Sequence, residues 1–339
     1  MLDHTSALWP SLAHRRLFLT GGTGFIGRWL VETFRHANRE FNLNASLTIL
    51  SRNPPASHDP SIAWCTGDIR TFAFPPGDFS HIVHGATDVL PAASDPRQRL
   101  DLWASIVDGT RRLAEFAAQA RTERLLLLSS GAVYGAQPPG LTHIPEDFPG
   151  APQLGEARYE YGEGKRGAEF LCWLAAEQSG LAATSARLFA LSGPGLPMDG
   201  VFALGNFVRD ALRQEPIRIS GDGSAIRSYL YAADLAIWLW TLLLRGTSQR
   251  AYNVGSEDAR SIGDLAQLVS ATLGPVPVQI EARPGQAANR YVPSTLRARS
   301  ELNLHSWIGL EDGLLRMASW NKNKSRAAGV NRRRGFCTT

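Results

Sequence analysis

The chain has 339 residues, 44% hydrophobic and 19% charged, which suits one large or two modest globular domains with a buried core. Its net charge of +4 misleads: residues 320–339 hold six basic groups and no acid, leaving −2 on the remainder, so the body offers no basic stripe for nucleic acid. No segment reaches the ~20 apolar residues of a membrane span, and the first fourteen residues, with Asp3 and His4, do not read as a signal peptide.

The first element is a short buried strand, Leu17 to Leu19, running into Thr20-Gly21-Gly22-Thr23-Gly24-Phe25-Ile26-Gly27. A helix follows over Phe25 to Arg35, with Phe25, Ile26, Leu30 and Phe34 at helical spacing. Gly21 permits a tight turn, Gly24 leaves room for a close ligand, and Gly27 lets helix and strand pack closely. The helix N-terminus then offers N–H groups and a positive dipole end to a pyrophosphate. Glycines between a strand and a helix also serve as plain punctuation, so the rest of the chain decides.

Strands are expected at Ser46–Leu50, Ala63–Thr66, His81–His84, Leu125–Leu128 and Thr184–Phe189, and helices at Arg97–Arg121 and Glu160–Gln178. This βαβ alternation predicts an α/β fold, a doubly wound parallel sheet with helices on both faces. Ligands of such sheets sit at the carboxyl ends of strands. Thr20–Gly27, Asp68, Gly85-Ala86-Thr87 and Ser129-Ser130 all fall there and read as one cofactor trough. Residues 136–156 read as a Pro/Gly-rich surface loop. After Phe189 the texture changes, with one helix at Phe202–Arg213, a return to the sheet over Ala232–Arg245 and Tyr252–Gly255, and shorter helices from 258 onward. The expected division is 15–189 plus 232–257 as a dinucleotide-binding domain, 190–231 plus 258–320 as a smaller substrate lobe, and 321–339 as a mobile basic tail. Leu235–Leu244 is the greasiest stretch and reads as a core helix.

The eight histidines form no ligand cluster, and His81 and His84 read as strand-end residues rather than metal ligands. Cys65, Cys172 and Cys337 share no metal or disulfide spacing, which fits a reducing cytoplasm. Lysine usage is more informative. Of 35 basic residues only Lys165, Lys322 and Lys324 are lysines, so Lys165 stands alone ahead of the tail. A lone lysine among arginines suggests chemistry that a planar guanidinium cannot supply.

Tyr161-Gly162-Glu163-Gly164-Lys165 places a phenol and an ammonium four apart on one helix face. A tyrosine that titrates near ~10 must fall by roughly three units to act as a base near neutrality, and a fixed cation favours the phenolate. Ser130, at the end of the preceding strand, can donate to the same substrate oxygen. A solvent-facing Tyr/Lys pair is the bland alternative. The glycine loop, the serine at the strand end and the solitary lysine weigh against it.

These motifs together resemble the extended short-chain dehydrogenase/reductases, the NAD-dependent epimerase/dehydratase family that modifies nucleotide sugars. The resemblance runs from about residue 15 to 320. It rests on the 20–27 loop, Gly67-Asp68-Ile69, His84-Gly85-Ala86, Ser129–Gly135, Tyr161–Lys165, Arg187-Leu188-Phe189, and Gly221-Asp222-Gly223 through Arg227 to Asp234. It implies a Rossmann sheet with a mostly helical C-terminal lobe. It implies that Asp68 and Ile69 border the adenine, that Lys165 bridges the ribose hydroxyls, and that Tyr161 and Ser130 face the reacting sugar oxygen. Arg227 matches the arginine that grips the substrate diphosphate, against the alternative of a salt bridge to Asp222 or Asp234. Asn253 reads as a support of the fold.

Three departures narrow the member. Many relatives place Asp after the second strand to hold the ribose hydroxyls, whereas this chain has Ser51-Arg52. Arg52 is placed to pair with a 2′-phosphate, which favours NADP over NAD. The Asn expected shortly after Arg187-Leu188-Phe189 is missing, the chain reading Ala190 instead. Dehydratases carry Asp-Glu after the catalytic hydroxyl residue and sugar-acid decarboxylases keep a Glu there, whereas Gly131-Ala132 follow Ser130. The expected function is hydride transfer at a sugar carbon, C4 by preference, of a nucleotide-diphosphate sugar. An epimerase leads, a 4-ketoreductase is the alternative, and a dehydratase or an idle dinucleotide-binding regulator stands behind both. The expected partners are the sugar nucleotide and a second copy of the chain, with neither nucleic acid nor membrane.

Overall fold

Seven short apolar runs pair in parallel into one sheet: β1 (Arg16–Thr20), β2 (Ser46–Ser51), β3 (Ile62–Thr66), β4 (His81–His84), β5 (Arg124–Ser130), β6 (Ala182–Leu188) and β7 (Arg250–Val254). The computed structural model describes residues 1–56, 59–87, 95–155, 159–281 and 289–334, with side chains as far as Lys324. The strand order is β7-β6-β5-β4-β1-β2-β3, so the direction of winding reverses between β1 and β4. In a doubly wound sheet that reversal opens a crevice at the strand carboxyl ends.

Between the strands run α1 (Phe25–Glu40), α2 (Pro96–Gln119) and α3 (Tyr159–Ser179). After β6 come α4 (Ala203–Leu212) and α5 (Ala232–Arg245), and after β7 come α6 (Ile262–Leu273), α7 (Leu296–Leu302) and α8 (Leu310–Arg334). The two-residue period of an extended chain divides each strand between two cores. Leu17, Leu19, Leu126 and Leu128 join a cluster with Leu30 and Phe34 of α1 and Leu235 and Leu239 of α5. Phe18, Leu125 and Leu127 face the other way, toward Leu113 and Phe116 of α2 and Ala168 and Cys172 of α3. A third cluster packs Phe207 and Val208 of α4, Leu265 and Val269 of α6, and Leu314 and Met317 of α8.

Local chemistry fixes the element ends. Asp95 opens α2 with a capping box: its carboxylate accepts from the N–H groups of Arg97 and Gln98 at 2.8 and 3.0 Å, and the Gln98 side chain accepts from the Asp95 N–H at 3.2 Å. Pro96 then occupies the first helical position, where its missing N–H costs nothing. The greasy run 235–244 is the core helix expected, and it is buried on all sides as far as Leu243. Residues 1–12, which carry no motif, provide part of that cover: Trp9 and Leu12 are fully buried, and the Trp9 ring lies 5.1 Å from that of Trp240.

Element bounds otherwise moved by a few residues, with one larger difference. The sequence predicts a division at residue 320 into a lobe and a tail, whereas the backbone of α8 continues to Arg334. Ala327, Ala328 and the Lys and Arg residues of this segment have good intrinsic helix propensity, which carries the backbone on. The last five residues, including Cys337, lie outside the described residues, while Cys65 and Cys172 are free thiols. Among the described residues no helix is long and apolar enough to cross a membrane.

Candidate active site

The glycine loop leaves β1 at the point of reversal and meets the end of β4. A Cβ on Gly21, which has φ +79°, would lie 2.6 Å from the Gly85 carbonyl oxygen, so the two strand ends touch there. A Cβ on Gly27 would lie 2.2 Å from the Gly21 oxygen, which ties the first turn of α1 to the loop. At Gly24, the N-cap of α1, a Cβ would meet little beyond the Gly21 oxygen at 3.4 Å, and no side chain caps this helix end. Open space in front of an uncapped helix N-terminus, over Thr23, Phe25 and Ile26, fits a dinucleotide pyrophosphate.

Thr20 and His84 lock the two strand ends together. The Thr20 hydroxyl accepts from the N–H groups of Gly85 and Ala86 at 3.1 and 3.0 Å and lies 2.8 Å from His84 Nδ1. On the other side His84 Nε2 lies 3.1 Å from the Thr110 hydroxyl, which itself donates to the Ile106 carbonyl. The single Thr110 proton is thus used, so His84 Nε2 must donate and Nδ1 must accept. A neutral imidazole satisfies every partner, and burial holds the His84 pKa down at about 3. The residue is structural, as expected of a strand-end histidine. Thr87 follows on the same loop, partly exposed.

At the far end of the trough Asp68 receives two bonds from the Arg70 guanidinium, at 2.9 and 3.2 Å. That pairing holds its carboxyl below the usual range, with Arg52 adding to the effect from the end of β2. Ile69 is buried against α2, where a Cβ on Gly109 would meet it at 2.9 Å.

Ser130, Tyr161 and Lys165 converge where β5 ends against α3. Lys165 is 3% exposed, and its ammonium donates to the Leu128 carbonyl at 2.8 Å and lies 5.8 Å from the Tyr161 ring centre. Burial brings its pKa down to about 8. The Ser130 hydroxyl works to lower the Tyr161 pKa, yet burial outweighs it and pushes the phenol up. The drop required of a neutral-pH base is therefore not built into the protein by Lys165 alone. Ser129, grouped with the cofactor contacts in the sequence, spends its hydroxyl differently: it donates to Glu169 at 2.5 Å and is buried.

Glu169, one turn beyond Lys165, anchors a polar network that the sequence did not reveal. It takes a forked contact from Arg187, at 3.0 and 2.7 Å, and Arg187 also donates to the Tyr134 hydroxyl at 2.9 Å. Burial works to lower the Arg187 pKa, but its bonds and charge interaction with Glu169 win and raise it. Tyr134 donates to Asn253, whose amide donates to the carbonyls of Ile144 and Ser294 at 2.8 and 3.0 Å. Asn253 therefore supports the fold, as read.

Arg227 does not pair with the acids suggested as alternatives. Asp234 accepts from the N–H groups of Trp307 and Ile308, and Asp222 accepts from Ser224. The Arg227 guanidinium donates to the Ile226 and Asn289 carbonyls, both at 2.8 Å, and lies 5.9 Å from the ring centre of Tyr291. Tyr291 itself enters the site. Its ring lies 4.5 Å from that of Phe189, and its hydroxyl sits 3.4 Å from Ser130 Oγ and 3.2 Å from the Leu188 carbonyl. No motif flagged it; an aromatic residue next to Arg290 after a Gly/Pro-rich run was the one available hint.

The sequence profile described as the NAD dependent epimerase/dehydratase family matches residues 17–255. The chain belongs to this family. This epimerase/dehydratase-family protein is 31% identical over 205 residues to UDP-glucuronic acid decarboxylase 1 of Arabidopsis thaliana, covering 59% of this chain and 46% of that one. It is 30% identical to UDP-glucuronic acid decarboxylase 1 of Danio rerio, over 88% of this chain and 71% of the relative. Among solved structures, MoeE5 in complex with UDP-glucose and NAD matches with a TM-score of 0.76 and 25% identity, over 91% of this chain and 99% of that chain.

Proposed function

We propose that the protein transfers hydride at a sugar carbon, C4 in this reading, of a nucleotide-diphosphate sugar, using NAD(P) and the Ser130–Tyr161–Lys165 group. The observation that carries the reading is the convergence of these three side chains beside a glycine cradle open to a pyrophosphate. NAD(P) held there supplies the hydride acceptor. Tyr161 takes or returns the proton of the reacting hydroxyl, Ser130 fixes that oxygen, and Lys165 supplies positive charge that favours the phenolate. In this reading Arg227 takes the substrate diphosphate, for which a forked guanidinium is suited. Epimerisation is the leading outcome and 4-ketoreduction the alternative.

Elimination of water is disfavoured in this reading. Residues 131 and 132 carry no ionisable group, and each missing proton-transfer residue costs on the order of 10²–10⁴ in rate. Decarboxylation is the second reading, favoured by the names of the relatives. A ketone at C4 stands β to a C6 carboxylate, so carbon dioxide leaves once C4 is oxidised. One experiment separates these outcomes: UDP-glucose and UDP-glucuronic acid are incubated with NAD or NADP and followed by mass spectrometry and proton NMR. An unchanged mass with a new C4 configuration supports epimerisation. A product lighter by carbon dioxide supports decarboxylation, and one lighter by water overturns the argument from Gly131 and Ala132. No change with either sugar in the presence of either cofactor counts against the hydride-transfer reading for both substrates.

A homodimer is part of the same reading. Leu100 and Trp103 on α2 and Phe170 and Trp173 on α3 are exposed on neighbouring helices, an apolar area suited to a second copy.

A further inference from the structure

Parallel pairing of β5 with β6 sets Ser129 beside Arg187 and Ser130 beside Leu188. Side chains alternate along a strand, so Ser129 and Arg187 share one face of the sheet, the face that α3 covers. Glu169 of α3 closes over both. One of its oxygens accepts from the Ser129 hydroxyl at 2.5 Å and from Arg187 Nε at 3.0 Å, and the other accepts from Arg187 Nη2 at 2.7 Å. Ser130 is still extended, at φ −148° and ψ 149°, so its side chain leaves the strand on the opposite side from that of Ser129. There its oxygen accepts from the Ala132 N–H at 3.1 Å and caps the turn Gly131–Tyr134. The far end of that turn returns to the same ion pair: Arg187 Nη1 donates to the Tyr134 hydroxyl at 2.9 Å and to the Glu146 carbonyl at 3.1 Å.

We propose that Glu169 and Arg187 are positioning residues: as an ion pair they hold Ser129 and Tyr134, on either side of Ser130, and so fix where the Ser130 hydroxyl points. This deepens the hydride-transfer reading and rests on it for the part that Ser130 plays in the reaction. Two more residues of α3 hold the same segment. Lys165 donates to the Leu128 carbonyl at 2.8 Å and Arg166 to the Val133 carbonyl at 3.3 Å. Those bonds reach backbone oxygens and set the path of the chain. Glu169 and Arg187 grip side chains, which sets the rotation of the strand end about its own axis. Both members of the pair are largely enclosed, with side chains 14% and 16% exposed. An enclosed ion pair regains in attraction roughly what its desolvation takes, so it adds little net stability. Its bonds are directional, and that suits the pair to fixing a geometry.

The Ala132 N–H reports on Ser130, whose oxygen is its acceptor. Its hydrogen exchange is measured by NMR in the free protein, beside that of Leu19 and Val83, which pair in the middle of the sheet. Glu169→Gln keeps the shape of the side chain and removes its charge. The Ala132 exchange rate should then rise at least about tenfold more than the rates of Leu19 and Val83, the sign of a local opening. An Ala132 rate that stays at the wild-type value overturns the proposal. So does a rise that Leu19 and Val83 share in full, which would mean that the pair serves the stability of the whole fold. If Glu169→Gln does not fold, Ser129→Ala cuts the same link at its other end. Faster exchange at Ala132 than in the sheet then supports the proposal, and an unmoved Ala132 rate overturns it. No substrate takes part, so these outcomes are separate from turnover of any sugar nucleotide. Failure of turnover would remove the hydride-transfer reading and leave the exchange result standing.

Discussion

The Phe189 ring occupies the space that a side chain on Gly131 would need: a Cβ there would lie 2.6 Å from the ring. Phe189 is itself held by Tyr134 and Tyr291, so it cannot move aside without disturbing both. The absence of a carboxylate after Ser130 is thus a packing requirement as well as a chemical difference. Gly131→Ala should destabilise the protein by about 1–3 kcal/mol, the usual cost of overpacking. Thermal melting measures this directly, and adding Phe189→Leu should recover part of the loss. A Gly131→Ala protein that melts with the wild type would mean that the ring has room to yield.

Tyr161→Phe removes the hydroxyl proposed to transfer the proton and leaves the ring packed against the core cluster that includes Leu102 and Ala168. Turnover on whichever sugar nucleotide proves to be the substrate should fall by ~10²–10⁴-fold. Binding of the sugar nucleotide, followed by calorimetry, should change little. Near-normal turnover would remove Tyr161 from the reaction.

Arg52 bears on cofactor choice. It lies close enough to Asp68 to help hold that carboxyl ionised, at the end of the trough where the adenosine ribose is expected. Arg52→Ala should weaken NADP binding by roughly ten- to a hundredfold, the scale of a lost charged hydrogen bond. NAD binding should hardly change. Fluorescence titration with both cofactors gives the answer, and equal losses for the two would sink the selectivity argument.

Acid should weaken the fold through two histidines. Burial lowers His81 to about 4 and His84 to about 3, against 6.5 for the free side chain. Between those values the unfolded chain binds protons that the folded chain refuses, so stability falls as pH drops. The contribution is intact above pH 6.5 and is lost progressively down to about 3 to 4. Melting temperatures measured between pH 7 and 4 should fall, and His84→Gln should flatten part of that slope. A slope unchanged by the substitution would remove His84 from the account.

The sheet was legible because its signals are local. Apolar runs of strand length, glycines at spacing three and helical periods all lie within windows of a few turns. The same holds for Tyr161 and Lys165, which one helix brings together. What escaped were contacts between distant segments. Tyr291 reaches Ser130 across 161 positions, and Arg187 joins Glu169 between a strand and a helix with no motif to mark the pair. Ser129 was grouped with the cofactor contacts by its place at a strand end, and only the position of Glu169 shows where its hydroxyl goes. The ionisation of Tyr161 also depends on enclosure, which spacing does not encode; Lys165 was expected to lower it, and burial raises it.

Asn253 has a consequence for the growing polypeptide on the ribosome. Strand β7 can join β6 once residue 254 has emerged, but the Asn253 amide still lacks the Ser294 carbonyl, 41 positions later. At ~5–20 residues per second that interval lasts about 2–8 s. Tyr291 belongs to the same late segment. During those seconds a nascent chain can hold the complete seven-stranded sheet and its glycine loop while Ser130 still lacks its contact with the Tyr291 hydroxyl.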